Sequence, residues 1–309
     1  MNYTNLVPIP MIYSTLALSI LGFIGNASIV IVTVFNKHLQ NRCNVLIALL
    51  AFFDAVICIY LTHLRILMIL DIYMISSTRC FLLSMYGLFA LNMQSSLGLV
   101  IGLDRLCNVS FPLSYSKIPN SIYAVFVLIC MVFSLIITLI GYTYASDSVV
   151  VPVCLPPTAY NGDSNIIWIF SNFIIAISVI FVYGGAHMRC RILRASHMHE
   201  QTMEALNRHL KSLTIVIAIY VCTWFITITS LLVFQIFPFS AATTAEFNRQ
   251  LGWLVIINAS LNFFVYFWRT SEYRKAFIRL YRLSRHFSLE NTFKDGDARV
   301  LNSSNIRVD

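Results

Sequence analysis

Charge is what this chain has least of. Only 11% of its 309 residues are Asp, Glu, Lys or Arg, while 58% are hydrophobic and Phe alone numbers 23. Soluble domains carry about 25% charged residues. A water-exposed globule of this composition would display large sticky patches and aggregate, so most of the chain does not meet water. CxxC pairs are missing too. The eight cysteines (Cys43, Cys58, Cys80, Cys107, Cys130, Cys154, Cys190 and Cys222) carry no zinc or redox spacing, and most read as small, buried, apolar residues. No His/Cys/Asp cluster, Gly-rich phosphate loop or nucleophile motif is found. The chain is therefore read as not an enzyme, with no metal and no cofactor. There is no internal repeat and no Gly/Ser-rich or Pro-rich stretch. No basic residue precedes Lys37. The first apolar run also exceeds the roughly 7–15 residues of a signal-peptide core, so the first span is expected to act as its own insertion signal.

What is present is a series of long charge-free runs. About 20 apolar residues are needed to cross a bilayer. Seven such spans are predicted, at about 11–35, 44–70, 77–106, 120–144, 165–188, 210–237 and 249–269. All eight prolines fall in loops or at span edges, where helices tolerate them. The predicted fold class is an all-α membrane protein, a seven-transmembrane helix bundle over 11–270 with residues 1–10 as an extracellular N-terminus. After the seventh span Tyr273, Phe277, Leu280 and Tyr281 share one helical face while Arg274, Lys275, Arg279 and Arg282 take the others. This predicts a short amphipathic eighth helix over 271–283 at the inner interface, drawn to anionic lipid headgroups. Residues 284–309 are polar and are expected to form a disordered cytoplasmic tail. No cysteine follows Cys222, which leaves no acceptor there for a palmitoyl anchor.

The net charge of +8 would suggest nucleic acid in a soluble protein; here it reports topology. All of the 21 Lys and Arg except Arg65, Arg79 and Arg249 lie in the loops at 36–43, 105–117 and 188–211 or in the C-terminal segment. By the positive-inside rule that side is cytoplasmic and the N-terminus is outside. No nucleic-acid partner is expected.

Three polar features interrupt the apolar runs. Asp54 is a carboxylate in mid-membrane, which is costly without partners. Asn26, Asn258 and Asn262 are placed at similar depth, and the last two, four apart, share a helix face. The group reads either as a cavity holding water or a sodium ion, or as a knot that fixes helix packing. Asp104–Arg105 closes the third span in the stretch DRLCNVSFPLSY. Arginine keeps its charge, so Arg105 must pair with Asp104, face an aqueous crevice or snorkel to phosphates. Asn262 to Tyr266 reads NFFVY. On the other side, Cys80 opens the third span and Cys154 lies in the 145–164 loop. Both face an oxidising compartment, so a disulfide is expected.

Taken together these residues resemble the rhodopsin-like G-protein-coupled receptors. Gly25–Asn26, Leu50–Asp54 (LAFFD), Cys80 placed 25 residues before Arg105, DRLCNVSFPLSY, Tyr183, Trp224, Asn262 with Tyr266, and SEYRKAF run in the family's order. RCNVLIALLAFFD, GLDRL and FPLSY resemble most the nematode serpentine chemoreceptors of the Srsx class, over residues 20–283. The sequence departs from the wider pattern in several places. Leu106 replaces an aromatic, Phe263 stands in place of proline, and spans four to six lack an internal proline. Cys222 is two residues before Trp224 rather than one. Gln94 stands where sodium-binding members have serine, and it joins the buried polar group.

The resemblance implies a receptor at the plasma membrane, in sensory neurons and their cilia, that signals through a heterotrimeric G protein. Asp104, Arg105, Tyr183, Asn262 and Tyr266 are implied in coupling and activation. The implied ligand is a small molecule such as an odorant. Amine receptors carry an aspartate at the place of Gly87, so an amine is disfavoured. Ligand contacts are expected from His63, Arg65, Met85, Tyr86, Trp224 and Trp253, with Arg65 alternatively meeting Asp71. Asn2 in NYT is a glycosylation site by topology, and Ser284, Ser288, Thr292, Ser303 and Ser304 are available hydroxyls. The rival readings are a transporter, a peptide receptor and a seven-span ligand-gated channel. Transporters show repeats and broken helices. Channels of the insect odorant kind place the N-terminus inside.

Overall fold

The structure, a computed structural model, describes residues 7–115, 117–195, 215, 218–237, 239–270 and 272–282. Asn2 and the tail hydroxyls at Ser284, Ser288, Thr292, Ser303 and Ser304 lie outside these residues. Seven helices are long and apolar enough to cross a membrane. They are α1 (Ile9–Phe35), α2 (Arg42–Ile69), α3 (Ser77–Ser110), α4 (Asn120–Thr143), α5 (Asp163–Ala195), α6 (Ala218–Ile236) and α7, which runs as Ala241–Ser260 and then Asn262–Arg269. An eighth helix, α8, covers residues 272–282.

Local chemistry sets the starts. Asn41 caps α2 by accepting from the Asn44 N–H at 2.9 Å, and Ser76 caps α3 by accepting from the Arg79 N–H. Ser240 does the same for α7 through the Thr243 N–H. Each cap satisfies a backbone donor that has no intrahelical partner. Pro8 and Pro119 precede α1 and α4, where a missing N–H does no harm. Three helices outrun their apolar spans. α3 continues past Arg105 to Ser110, α5 continues past Arg189 to Ala195, and α7 begins at Ala241 rather than 249. Counting charge-free residues locates the hydrocarbon crossing, whereas a helix continues until a cap or proline stops it.

α3 is the centre of the bundle, packed against α2, α4 and α5. α4 is peripheral. Its Leu128, Ile129, Val132, Leu135, Ile136 and Leu139 form one exposed apolar stripe, the composition of a lipid-facing surface. Small residues allow close approach elsewhere. A Cβ on Gly25 would lie 2.6 Å from that of Phe263, and one on Gly102 would lie 2.6 Å from the Tyr183 ring. The apolar face of α8 turns into the protein. Tyr273 and Phe277 are fully buried with Ile29, Val32 and Ile47, and the Tyr273 hydroxyl lies 3.0 Å from that of Thr33. Burial pushes the Tyr273 phenol up to about 12, so it remains a proton donor. The half of the face that meets lipid is smaller than expected, with Tyr281 exposed.

At the Cys80 end, Ile75–Ser76 (β1) pairs antiparallel with Val150–Val151 (β2), with Ile75 opposite Val151. Cys80 and Cys154 are disulfide-bonded. The loop of residues 145–162 is thereby tied across the mouth of the bundle. Gly162 takes a φ of +55° where that loop enters α5, a conformation glycine reaches without steric cost.

Candidate functional site

Polar side chains gather at three levels of the bundle. In the middle, Asp54 is fully buried. Gln94 Nε2 donates to its Oδ1 and Asn262 Nδ2 to its Oδ2. These two amides satisfy a carboxylate that would otherwise be unpartnered in hydrocarbon. The other two expected neighbours are occupied elsewhere. Asn26 Nδ2 donates to the Ala259 carbonyl at 2.7 Å, just before the interruption of α7 at Leu261. Asn258 Oδ1 lies 2.9 Å from the Thr223 hydroxyl. Asn26 and Asn258 thus each have a partner other than Asp54.

Thr223 belongs to an unusual stretch. α6 contains a π-helical turn at Val221–Phe225, the segment that carries Trp224. π-Turns are rare and recur at functional sites. The Thr223 hydroxyl also lies 2.6 Å from the Ile219 carbonyl. Its single proton serves either that carbonyl or Asn258, so the turn is latched to α7. Below Trp224 lies a cavity lined by Gln94, Tyr183, Trp224, Asn258, Asn262 and Tyr266 among others.

At the Arg105 end, the Tyr115 and Tyr123 hydroxyls donate to Asp104 Oδ1 at 2.9 Å and 2.8 Å. Arg42 stacks over both rings at 5.9 Å. Burial, and then the bond to Asp104, holds the Tyr115 hydroxyl above the ordinary tyrosine range. The pairing of Arg105 with Asp104 left open by the sequence is not formed. Two tyrosines take the carboxylate, and among the described residues Arg105 makes no ion pair. Cys43, Tyr183, Tyr266 and Asp104 itself lie within electrostatic reach of it. Tyr183 is buried against Gly102, and the Tyr266 ring lies 5.5 Å from Tyr273 of α8.

At the Cys80 end, a second, smaller cavity is lined by Arg65, Leu91, Trp168, Trp224, Asn248 and Leu251 among others. Trp224 therefore stands between the two cavities. Of the six side chains expected to contact a ligand, Arg65 and Trp224 line this cavity. Met85 and Tyr86 do not. They are 44% and 37% exposed on an outward stripe of α3 with Leu82, and His63 Nδ1 meets the Tyr86 hydroxyl at 3.1 Å on that surface. Trp253 packs instead beside Val7, Met11 and Met68. These four side chains do not line that cavity. Arg65 has no ion pair with Asp71.

Sequence reasoning missed one polar relay. Asn92 Oδ1 accepts from Trp168 Nε1 at 3.0 Å and from Asn172 Nδ2 at 3.2 Å, and its Nδ2 lies 3.4 Å from the Tyr160 hydroxyl. This network joins α3, α5 and the loop at the wall of the second cavity. Its signal was available, because an asparagine inside an apolar span requires partners just as Asp54 does.

A bundle of seven apolar helices, a disulfide-tied loop over one cavity and an Asp-Arg centre at the opposite end define a seven-helix receptor of the G-protein-coupled class. A family model described as the serpentine type 7TM GPCR chemoreceptor Srsx matches residues 19–281. The chain belongs to that family and is a multi-pass membrane protein. No curated protein matches it.

Proposed function

We propose that this chemoreceptor binds a small molecule in the cavity at its Cys80 end and signals through a heterotrimeric G protein at the plasma membrane, with the Cys80 end outside. The charge asymmetry of the loops supports this orientation. Trp224 carries the reading, because it is shared by both cavities and sits on the π-turn of α6. A ligand resting on Trp224 favours the state it binds more tightly. α6 has no internal proline, and kinks arise at π-turns as well as at proline. The Val221–Phe225 turn is thus the hinge about which the Arg105 end of α6 swings. Breaking the Thr223–Asn258 contact releases it. The opened crevice presents Arg105, Tyr183 and Tyr266 to the C-terminal helix of a Gα subunit, an insertion of the helix-in-groove kind. Arg189 and Arg191 flank that opening. Asp54 with Gln94 and Asn262 links α2, α3 and α7 at the wall of the first cavity.

The test is a reporter of G-protein dissociation in cells expressing the receptor, screened with odorants. Arg105→Ala is measured at matched surface expression. A response lost in the variant and in cells lacking Gα subunits is expected. A ligand-evoked current that survives both losses would refute the receptor reading in favour of a channel.

A further inference from the structure

Arg65 is a buried cation without a counter-ion. It is 2% exposed, too enclosed to reach water or lipid phosphates by snorkelling. Its Nε has no hydrogen-bond partner. Its Nη1 lies 3.2 Å from the Met68 sulfur, a weak acceptor. No carboxylate among the described residues lies within ion-pair distance of it. The acids at this end of the bundle are engaged or exposed. Glu246 holds Arg249 and Gln250, and Asp71 lies on the surface. No acidic residue precedes Asp54 in the sequence, so the N-terminal segment brings none.

The cavity holds two more buried polar atoms without partners among the described residues. Trp224 Nε1 is a second buried donor with no acceptor, and Asn248 Oδ1 is a buried acceptor with no donor. Both residues line the same cavity as Arg65. Asn248 and Gly252 are four apart on one face of α7, and a Cβ on Gly252 would lie 3.6 Å from Arg65 Nη2. The other walls are mostly apolar, among them Leu61, Leu91, Leu155, Leu231, Leu251 and Val255, with Thr227 as a further polar residue. A buried charge is costly unless a paired charge and further hydrogen bonds meet it, and an arginine fork fits a carboxylate bidentately.

We infer that the ligand of this receptor is a small organic monocarboxylate. Its acid group is held by Arg65 and its apolar body lies against Trp168, Trp224, Leu91 and Leu231. One guanidinium neutralises one carboxylate, whereas a phosphate dianion would bring a second, uncompensated charge into an apolar chamber. This inference rests on the receptor reading for the location of the ligand and not for its chemistry.

The test uses the full-length receptor in two readouts, thermal stabilisation after purification in detergent and G-protein dissociation in cells. The probes are hexanoate, phenylacetate and palmitate, each beside its methyl ester. At least one acid should stabilise the wild type, with its ester at least about tenfold weaker. Arg65→Gln should weaken that acid about a hundredfold, the scale of losing one partner of a buried charge pair, while Arg65→Lys retains part of the effect. Asn248→Asp supplies an internal counter-ion. It should also abolish the effect of the acid, which keeps the test decisive if Arg65→Gln does not reach the membrane. A response to palmitate alone identifies a lipid-derived acid, and a response to the smaller acids a water-soluble one. Stabilisation by none of the acids, or undiminished by Arg65→Gln and Asn248→Asp, overturns the assignment. Arg65-dependent stabilisation without G-protein dissociation would leave this inference standing and sink the signalling reading instead.

Discussion

Alanine at two glycines of the same helix should shift stability in opposite directions. A Cβ on Gly87 would lie 2.1 Å from Cγ of Tyr60 and 2.6 Å from its Cβ, whereas a Cβ on Gly98 meets nothing within 4 Å. Tyr60 is fully buried, and the atoms met are the base of its ring, so rotation does not clear them. Carbon pairs are comfortable at about 3.5–4.0 Å. Glycine in a helix interior costs about 1 kcal/mol relative to alanine, and Gly98→Ala should recover that amount. Gly87→Ala gains the same amount but suffers overpacking of about 1–3 kcal/mol or more, and a 2.1 Å approach belongs at the upper end. The two variants should therefore differ by at least about 2 kcal/mol. In melting temperature this places Gly98→Ala about 2 °C above the wild type and Gly87→Ala several degrees below Gly98→Ala. The assay is tryptophan fluorescence of purified receptor on heating in detergent, with the disulfide kept oxidised. Equal melting temperatures for the two variants would refute the packing argument. The same contact explains why position 87 bears no acid for an amine ligand, since the Tyr60 ring occupies the space where such a side chain would sit.

Two further outcomes follow from the polar centre. Asp54→Ala leaves the Gln94 and Asn262 amides without an acceptor. Each should cost about 1–3 kcal/mol, and the melting temperature and the ligand-evoked response should both fall; an unchanged melting temperature would show that the amides find other partners. Thr223→Val removes the hydroxyl between α6 and Asn258, a loss of about 1 kcal/mol. Reporter activity without ligand should rise, and a basal level equal to the wild type would remove this latch from the mechanism.

The bundle was legible because hydrocarbon imposes a simple rule: a run without charge is a crossing. α4 shows this most clearly, with its apolar stripe on the outside. Depth was legible as well, since Asp54, Gln94 and Asn262 do meet. Direction was less so. Met85 and Tyr86 lie on the outward side of α3, whose inward side carries Ser84, Asn92, Gln94, Ser95 and Ser96; the polar positions, not the apolar ones, mark the side that meets the bundle. The two tyrosines on Asp104 come from separate segments, Tyr115 from the turn after α3 and Tyr123 from the first turn of α4. No spacing rule within one helix could join them. The Asn92 relay depends likewise on three elements meeting in space.

The π-turn has a consequence for how this chain is compared with others. An i→i+5 turn accommodates one residue more than an α-helical turn over the same rise. Cys222 and Trp224 are separated by one residue more than in the wider receptor pattern, and the surplus falls inside Val221–Phe225. The helix absorbs the insertion as a local widening, so Trp224 still points inward between the two chambers. Residues on the two sides of Val221–Phe225 are therefore one position out of ordinary helical register, and the faces of the two halves of α6 have to be counted separately.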